Sequence, residues 1–149
     1  MNPFDLKSVF LAKHAQHVAM VHFPIALTFV SVLFDLLSLR RQSLALLRAA
    51  YYTVIVAAIS AVPTIATGLL AWQWQLEGAR IKGNLKLHLI LALCSSALIW
   101  IVCWFHIKEQ RKPQFNSPGA RLAVEFVAVA MTLLTGQVGG FVSGVNGPL

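Results

Sequence analysis

The chain has 149 residues, of which 58% are hydrophobic and only 11% charged, and its mean hydropathy is +0.72. A soluble domain carries about 25% charged residues, so this composition excludes a protein that faces water on all sides. The formal net charge of +7 would suggest nucleic acid in a soluble chain. Here the basic residues fall between apolar segments, where they contact lipid headgroups, and we expect no nucleic-acid partner.

Four apolar segments account for the high hydropathy, at about residues 17–39, 49–70, 85–105 and 122–142. A helix needs roughly 20 apolar residues, rising about 1.5 Å each, to span about 30 Å of hydrocarbon. Each segment is long enough. The sequence therefore predicts an all-α integral membrane protein, a four-transmembrane-helix bundle forming one domain over residues 1–149. Residues 1–13 mix apolar and charged side chains and are predicted to lie on the membrane surface.

Basic residues are unevenly divided between the two ends of the predicted bundle. Seven of the 12 Lys and Arg residues fall in or near the connections that follow the first and third segments, and five fall at the other end. Cytoplasmic connections carry the excess of positive charge. Both termini are therefore predicted on the periplasmic side of a bacterial cytoplasmic (inner) membrane, with lipid around a multi-pass protein.

Two histidines and a proline mark the first segment. Ionisable side chains are costly in hydrocarbon, so His17 and His22 require a reason. Pro24 predicts a kink in a helix that continues through it. Further along, Asp35 stands five helical turns after His17, which places both on one polar stripe.

A further histidine, His88, lies about one turn inside the third segment, and the fourth segment ends in a glycine-rich stretch. Gly136 and Gly140 stand four residues apart and form a shallow groove. Such a groove is typical of close helix packing, and it also leaves room for a flat cofactor.

Cys94 and Cys103 are nine residues apart on one helix and are predicted to be apolar fillers rather than a disulfide.

The first and third helices enter the membrane from the same side, so the histidines at their starts are expected at one depth. Haem iron takes two imidazoles from facing helices. We therefore predict haem b, with His88 as one ligand, His22 or His17 as the other, and Gly136 and Gly140 beside the cofactor. Imidazole also binds zinc or copper, but no carboxylate stands near these histidines. Interfacial hydrogen bonding is the structural alternative for each of them.

A second polar cluster is expected near the opposite surface. The sequence places there Asp35, Arg48, His106, Arg121 and Glu125. A carboxylate inside a membrane is a candidate for a proton relay, which here would use Asp35 and His106. Neutralisation of Asp35 by an arginine from a connecting loop explains the carboxylate equally well.

Several motifs resemble a known family, the bacterial predicted membrane proteins called domain of unknown function 2231. These motifs are His17, the His-Phe-Pro-Ile-Ala-Leu run of residues 22–27, Asp35, Thr67-Gly68-Leu69, His88 and Gly139-Gly140, followed by Gly144. The resemblance spans nearly the whole chain and departs at Val18, where the family commonly has proline. It implies a four-helix membrane domain. Related domains are sometimes joined to iron–sulfur or cytochrome domains, which implies a setting in electron transfer.

These patterns favour a membrane-bound b-type haem protein that transfers electrons at the periplasmic face, between a periplasmic dehydrogenase or cytochrome and quinone. An electron-transfer subunit is expected rather than a stand-alone enzyme, and the sequence leaves open a homo-oligomer or a subunit of a larger complex. One alternative is a cofactor-free membrane anchor or assembly subunit. Another is a small proton or metal transporter, against which the lack of an evident repeat between the two halves argues.

Overall fold

A computed structural model of the chain describes residues 13–75, 78, 80–110 and 119–144, apart from the side chains of Lys13, His14 and Gln75. These residues form four helices and no strand. The helices are α1 (Lys13–Arg41), α2 (Leu44–Gln75), α3 (Gly83–Gln110) and α4 (Gly119–Val142). All four are long and apolar enough to cross a membrane, so the predicted all-α transmembrane bundle is confirmed. The predicted surface segment lies outside the described residues except for Lys13, which begins α1.

The helices extend beyond the predicted apolar segments. α1 begins at Lys13 rather than at residue 17, and α3 continues to Gln110 rather than ending at 105. At about 1.5 Å per residue, helices of 24 to 32 residues are longer than the roughly 30 Å of hydrocarbon. Apolar composition marks the part of a helix that lies in hydrocarbon, whereas its backbone hydrogen bonds continue into the interface.

Two antiparallel hairpins make up the bundle. α1 packs most extensively against α2 and α3 against α4, while smaller contacts join α2 to α3 and α1 to α4. In the turn after α1, Gln42 adopts a positive φ of 48°, and the Ser43 amide donates to the Ser38 carbonyl at 3.1 Å. This is a Schellman-type helix end. The described chain consequently begins and ends at the same end of the bundle.

Pro24 lies inside α1 without ending it, as predicted. A proline has no N–H to donate to the carbonyl four residues earlier, which here belongs to Met20. That carbonyl oxygen instead accepts from Thr64 Oγ1 on α2 at 3.2 Å, in a hydrogen bond that the hydroxyl shares with the Ser60 carbonyl of its own helix at 2.9 Å. An unsatisfied carbonyl is costly in hydrocarbon, so the acceptor left by the proline becomes a link between the two helices.

Small side chains on α2 form much of the packing surface. Ala50, Ala57 and Ala58 are fully buried. The central core comprises Val54, Ala57, Ala58, Ile99, Val102, Cys103 and Ala128. Cys103 is thus an apolar filler as expected, whereas Cys94 is exposed. Large apolar side chains are exposed on all four helices, and this surface is stable only against hydrocarbon.

The two hairpins are equivalent under a shift of 71 residues. Among the described residues, nine pairs of identical residues share this spacing, and the three that are not apolar side chains are His17 and His88, Thr64 and Thr135, and Gly68 and Gly139. Five consecutive buried positions of α1 also match five of α3: residues 24, 28, 31, 32 and 35 against 95, 99, 102, 103 and 106. Because α1 and α3 run in the same direction, the pseudo-two-fold axis runs along the bundle.

This equivalence corrects the expectation that the halves share no repeat. Few side chains are identical across the shift, since membrane helices draw on a narrow set of interchangeable apolar residues. The two hairpins therefore correspond in which positions are buried and in which residues are in contact, even where the residues themselves differ.

Candidate functional site

A cavity of about 500 Å³ opens between the two hairpins at the end where α1 begins. Side chains from all four helices line it, and His17, His22 and His88 are among them. We call this space the histidine cavity. The predicted convergence of histidines from the first and third helices at one depth is thus observed. Their predicted role as haem ligands stays a prediction.

His17 and His88 are the two imidazoles that meet. Their ring centroids are 6.4 Å apart and their planes are inclined by 80°, and both side chains are half-buried. A metal–imidazole bond is about 2.0–2.1 Å long and the nitrogen lies roughly 1.2 Å from the ring centroid. Imidazoles on opposite sides of one metal therefore have centroids about 6.4 Å apart, against about 5.2 Å at a tetrahedral angle. The observed separation matches the first arrangement.

Each of these rings is held through Nδ1. His88 Nδ1 lies 3.1 Å from the carbonyl oxygen of Thr135, which can only accept, so His88 Nδ1 carries the proton. His17 Nδ1 lies 3.3 Å from Thr67 Oγ1, whose own hydroxyl donates to carbonyls of α2, so His17 Nδ1 donates as well. In the neutral rings the lone pair is then on Nε2. Metal-binding histidines commonly have this arrangement, with the other nitrogen donating to a protein oxygen.

Two glycines leave the space that these rings occupy. A Cβ atom on Gly68 would lie 2.9 Å from Cε1 of His17, and one on Gly139 would lie 3.0 Å from Cε1 of His88. The two contacts are equivalent across the repeat. Gly136 and Gly140, the predicted cofactor glycines, do line the cavity, but a Cβ atom on Gly136 would meet nothing within 4 Å.

The pairing of these two glycines with the imidazoles is absent from the sequence-based site, although both glycines stand in short motifs of the sequence. The same number of residues separates His17 from Gly68 as separates His88 from Gly139. This common spacing is the signal that could have identified them.

His22 differs from His17 in its surroundings. It is exposed, and its Nδ1 donates to the Val18 carbonyl of its own helix at 2.6 Å. It contacts the rim of the histidine cavity, but no partner across the described part of the bundle holds it in the way that Thr67 holds His17. The structure therefore brings His17, rather than His22, together with His88.

The second predicted cluster lies at the opposite end of the bundle. Arg121 Nε donates to Asp35 Oδ2 at 3.1 Å, and Nη2 donates to Oδ1 and Oδ2 at 2.9 and 2.7 Å. His106 Nε2 and Glu125 Oε1 are 2.8 Å apart, and Arg121 Nε is 3.6 Å from the same oxygen. Asp35, His106, Arg121 and Glu125 are all buried.

Membership of this cluster differs from the prediction at two residues. Arg48 is exposed, because the start of α2 turns its side chain away from the bundle. Glu109, which the prediction did not include, belongs to the cluster, because its carboxylate forms an ion pair with Arg121 Nη1. Asp35, Glu109, His106, Arg121 and Glu125 are together called the polar cluster below.

The apolar core separates the polar cluster from the histidine cavity. Its members Ala57, Val102 and Ala128 lie between the two levels on α2, α3 and α4. His17 and Asp35 are 18 residues apart on α1, which is about 27 Å along the helix. The described residues thus form two polar sites at opposite ends of an apolar bundle.

Comparison with curated proteins and with solved structures finds no match to this chain. One protein-family model does match, over residues 13–147, and its description is "Predicted membrane protein (DUF2231)". The matched range contains all four helices and both polar sites. The chain belongs to the DUF2231 family of predicted membrane proteins.

Proposed function

We propose that the chain binds one haem b in the histidine cavity, where His17 and His88 would hold it, and transfers electrons through it. The observation that carries this proposal is the pair of imidazoles from the two hairpins, 6.4 Å apart. Zinc prefers a tetrahedral site, in which the two centroids would be about 5.2 Å apart. Haem iron takes two imidazoles on opposite sides.

The cavity has properties that a haem requires. Its volume of about 500 Å³ falls within the range of roughly 300–1,000 Å³ found for small-molecule and cofactor sites. Most of its lining is apolar, as suits a porphyrin. Arg80, Lys82 and Lys86 are exposed near the apolar lining residues Ile81 and Leu85, so cations are available for the two propionates of a haem.

The repeat gives the two ligands equivalent roles. Each hairpin supplies one imidazole, one glycine against its ring, and one oxygen that accepts from Nδ1. A cofactor that takes one imidazole from each hairpin would fit between such halves. Bound haem would supply one-electron chemistry, while the chain's residues hold the ring nitrogens in position and exclude water with an apolar wall.

The setting that we propose is the periplasmic face of a bacterial cytoplasmic membrane. The partners would be a periplasmic dehydrogenase or cytochrome on one side and quinone on the other. The basic residues near the cavity favour an acidic donor surface. An electron-transfer subunit, alone as a homo-oligomer or within a larger complex, fits this role.

A spectrum of the purified protein tests the proposal. Protein from haem-replete cells should show cytochrome b bands in a reduced-minus-oxidised spectrum, with about one haem per chain by pyridine haemochrome assay. His88→Ala and His17→Ala should each lose the haem and still insert into the membrane. His22→Ala is the matched control and should keep it.

A colourless, folded protein from those cells would overturn the proposal. His17 and His88 would then form only an edge-to-face aromatic contact, for which 6.4 Å is also an ordinary separation. Haem retained in His17→Ala but lost in His22→Ala would instead assign His22 as the ligand opposite His88.

The repeat favours the alternative of a small proton or metal transporter, because many transporters are built from internal repeats. However, the core cluster between the two polar sites is apolar, and the buried polar side chains at that depth, those of Thr28, Ser31, Ser95 and Thr132, carry hydroxyl groups and no charge, so an ion would have no charged side chain along such a path. Electron transfer at one end of the bundle needs no such path.

A further inference from the structure

The polar cluster, where α3 ends and α4 begins, is not required by the packing of this fold. Under the shift of 71 residues, Arg121 corresponds to Ala50 and Glu125 to Val54. Both residues of the first hairpin are buried, with exposures of 0% and 1%. The first hairpin therefore fills these positions with apolar side chains, and the ionisable residues of the second hairpin need another reason.

The charges of the cluster do not balance. Three carboxyl groups, on Asp35, Glu109 and Glu125, surround the single guanidinium of Arg121. Glu109 is 40% exposed, whereas Asp35 and Glu125 are buried beside Arg121. With His106 neutral and the carboxyls ionised, the buried groups therefore carry a net charge of −1. An excess charge of this kind is expensive where water is excluded, so the cluster calls for added positive charge.

One carboxylate atom is also left without a partner. Glu125 has an exposure of 0%, and its Oε2 makes no hydrogen bond with any described residue. A buried acceptor without a partner lowers stability, and more so when it is charged. A bound cation or a proton at this oxygen would satisfy it.

The cluster can supply three ligand atoms to one ion. A carboxylate oxygen of Asp35, a ring nitrogen of His106 and a carboxylate oxygen of Glu125 all lie within 4.8 Å of one another. Arg121 orients Asp35 through two of its nitrogens, and the oxygens of Asp35 retain further lone pairs for a metal. Hydrogen-bonded carboxylate ligands of this kind are common in metal sites.

We propose that Asp35, His106 and Glu125 bind one divalent cation at the end of the bundle opposite the histidine cavity. One imidazole and two carboxylates form a mixed nitrogen and oxygen site, which suits Zn²⁺ or Mn²⁺. With Glu109 counted, the charge of the ion brings the whole cluster to neutrality, and Glu125 gains a partner for its second oxygen. This site does not depend on haem binding at the other end.

Metal loading tests this site directly. The protein is purified in detergent with a tag that contains no histidine, stripped with a chelator, and loaded with Zn²⁺ or Mn²⁺ before gel filtration. Elemental analysis should give about one ion per chain, and the ion should raise the thermal unfolding temperature. Iron is counted separately against the haem content, so failure of the haem proposal leaves this measurement unaffected.

Two substitutions and a control locate the ion. Glu125→Gln should weaken binding at least tenfold, and so should Glu125→Val, which places at this position the residue that Val54 provides in the first hairpin. His22→Gln is the matched control, since it removes a histidine at the other end, and it should keep the ion. The His88→Ala protein, lacking haem, should bind the ion as the original chain does.

Two results would overturn the proposal. The first is a folded protein that retains less than a tenth of an ion per chain in either metal. The second is an ion that persists unchanged in both Glu125 variants. A carboxylic-acid infrared band that Glu125→Gln removes, together with no bound metal, would show that a proton balances the charge instead.

Discussion

The ring of His17 lies directly over Gly68 on the neighbouring helix, where an added Cβ atom would be 2.9 Å from Cε1 of the imidazole. Real Cβ atoms essentially never approach so closely. Position 68 therefore fixes where the His17 ring can be, and the equivalent contact of Gly139 with His88 does the same in the second hairpin.

Gly68→Ala should displace His17 and lower the haem content of the purified protein to less than half. Alanine favours a helix by about 1 kcal/mol over glycine, so the variant should unfold at the same temperature or slightly higher. The histidine NMR signals report the displaced ring whether or not haem is bound. Gly119→Ala, whose Cβ atom meets nothing within 4 Å, is the control and should change neither property.

Thr67→Val should weaken the site without removing a ligand. The substitution keeps the side-chain shape and deletes the oxygen that accepts from His17 Nδ1 at 3.3 Å. Loss of such a partner typically lowers metal affinity about 10–100-fold, so haem should dissociate about tenfold faster and the midpoint potential should shift. Transfer of haem to apomyoglobin measures the rate. An unchanged rate and potential would contradict the role given to Thr67.

Arg121→Met should be strongly destabilising. It leaves the buried carboxylate of Asp35 without the three hydrogen bonds that Arg121 donates, and breaking a buried ion pair costs about 3–5 kcal/mol. Adding Asp35→Leu should recover most of this loss, because an apolar pair needs no compensation. Denaturation in detergent micelles measures both. Arg48→Met, which removes an exposed arginine, should be close to neutral.

Thr64→Val should destabilise the protein by about 0.6–1.7 kcal/mol, the range measured for hydrogen bonds between membrane helices. The substitution removes the hydroxyl that Thr64 shares between the Met20 carbonyl at 3.2 Å and the Ser60 carbonyl at 2.9 Å. In a Pro24→Ala background residue 24 can donate to the Met20 carbonyl, so the same substitution should cost less. A double-mutant cycle measures the difference. Equal costs in both backgrounds would show that the bond to Met20 does not compensate for the proline.

Much of the fold follows from the sequence because hydrocarbon imposes a simple rule on helix length. The apolar segments identify all four helices, and the phase relation of His17 to Asp35 correctly places both residues on the inner face of α1. The sequence could not decide whether His17 or His22 lies opposite His88, because a proline two residues after His22 perturbs the helix in a way that residue spacing does not specify.

Two features of the sites were missed for a common reason. Arg48 lies near the start of a helix, where the hairpin turn decides which way a side chain points, and it is exposed. Gly68 and Gly139 act by leaving space for a ring on another helix, and a sequence does not say which helix is adjacent. Both depend on how the hairpins come together.

The apolar core across the middle of the bundle has an electrical consequence. A redox centre held beside His17 would exchange electrons with partners at one surface only, since about 27 Å of helix separates it from the level of Asp35. Its turnover would therefore leave the voltage across the membrane unchanged, and any energy conserved would have to come from the proteins that it connects.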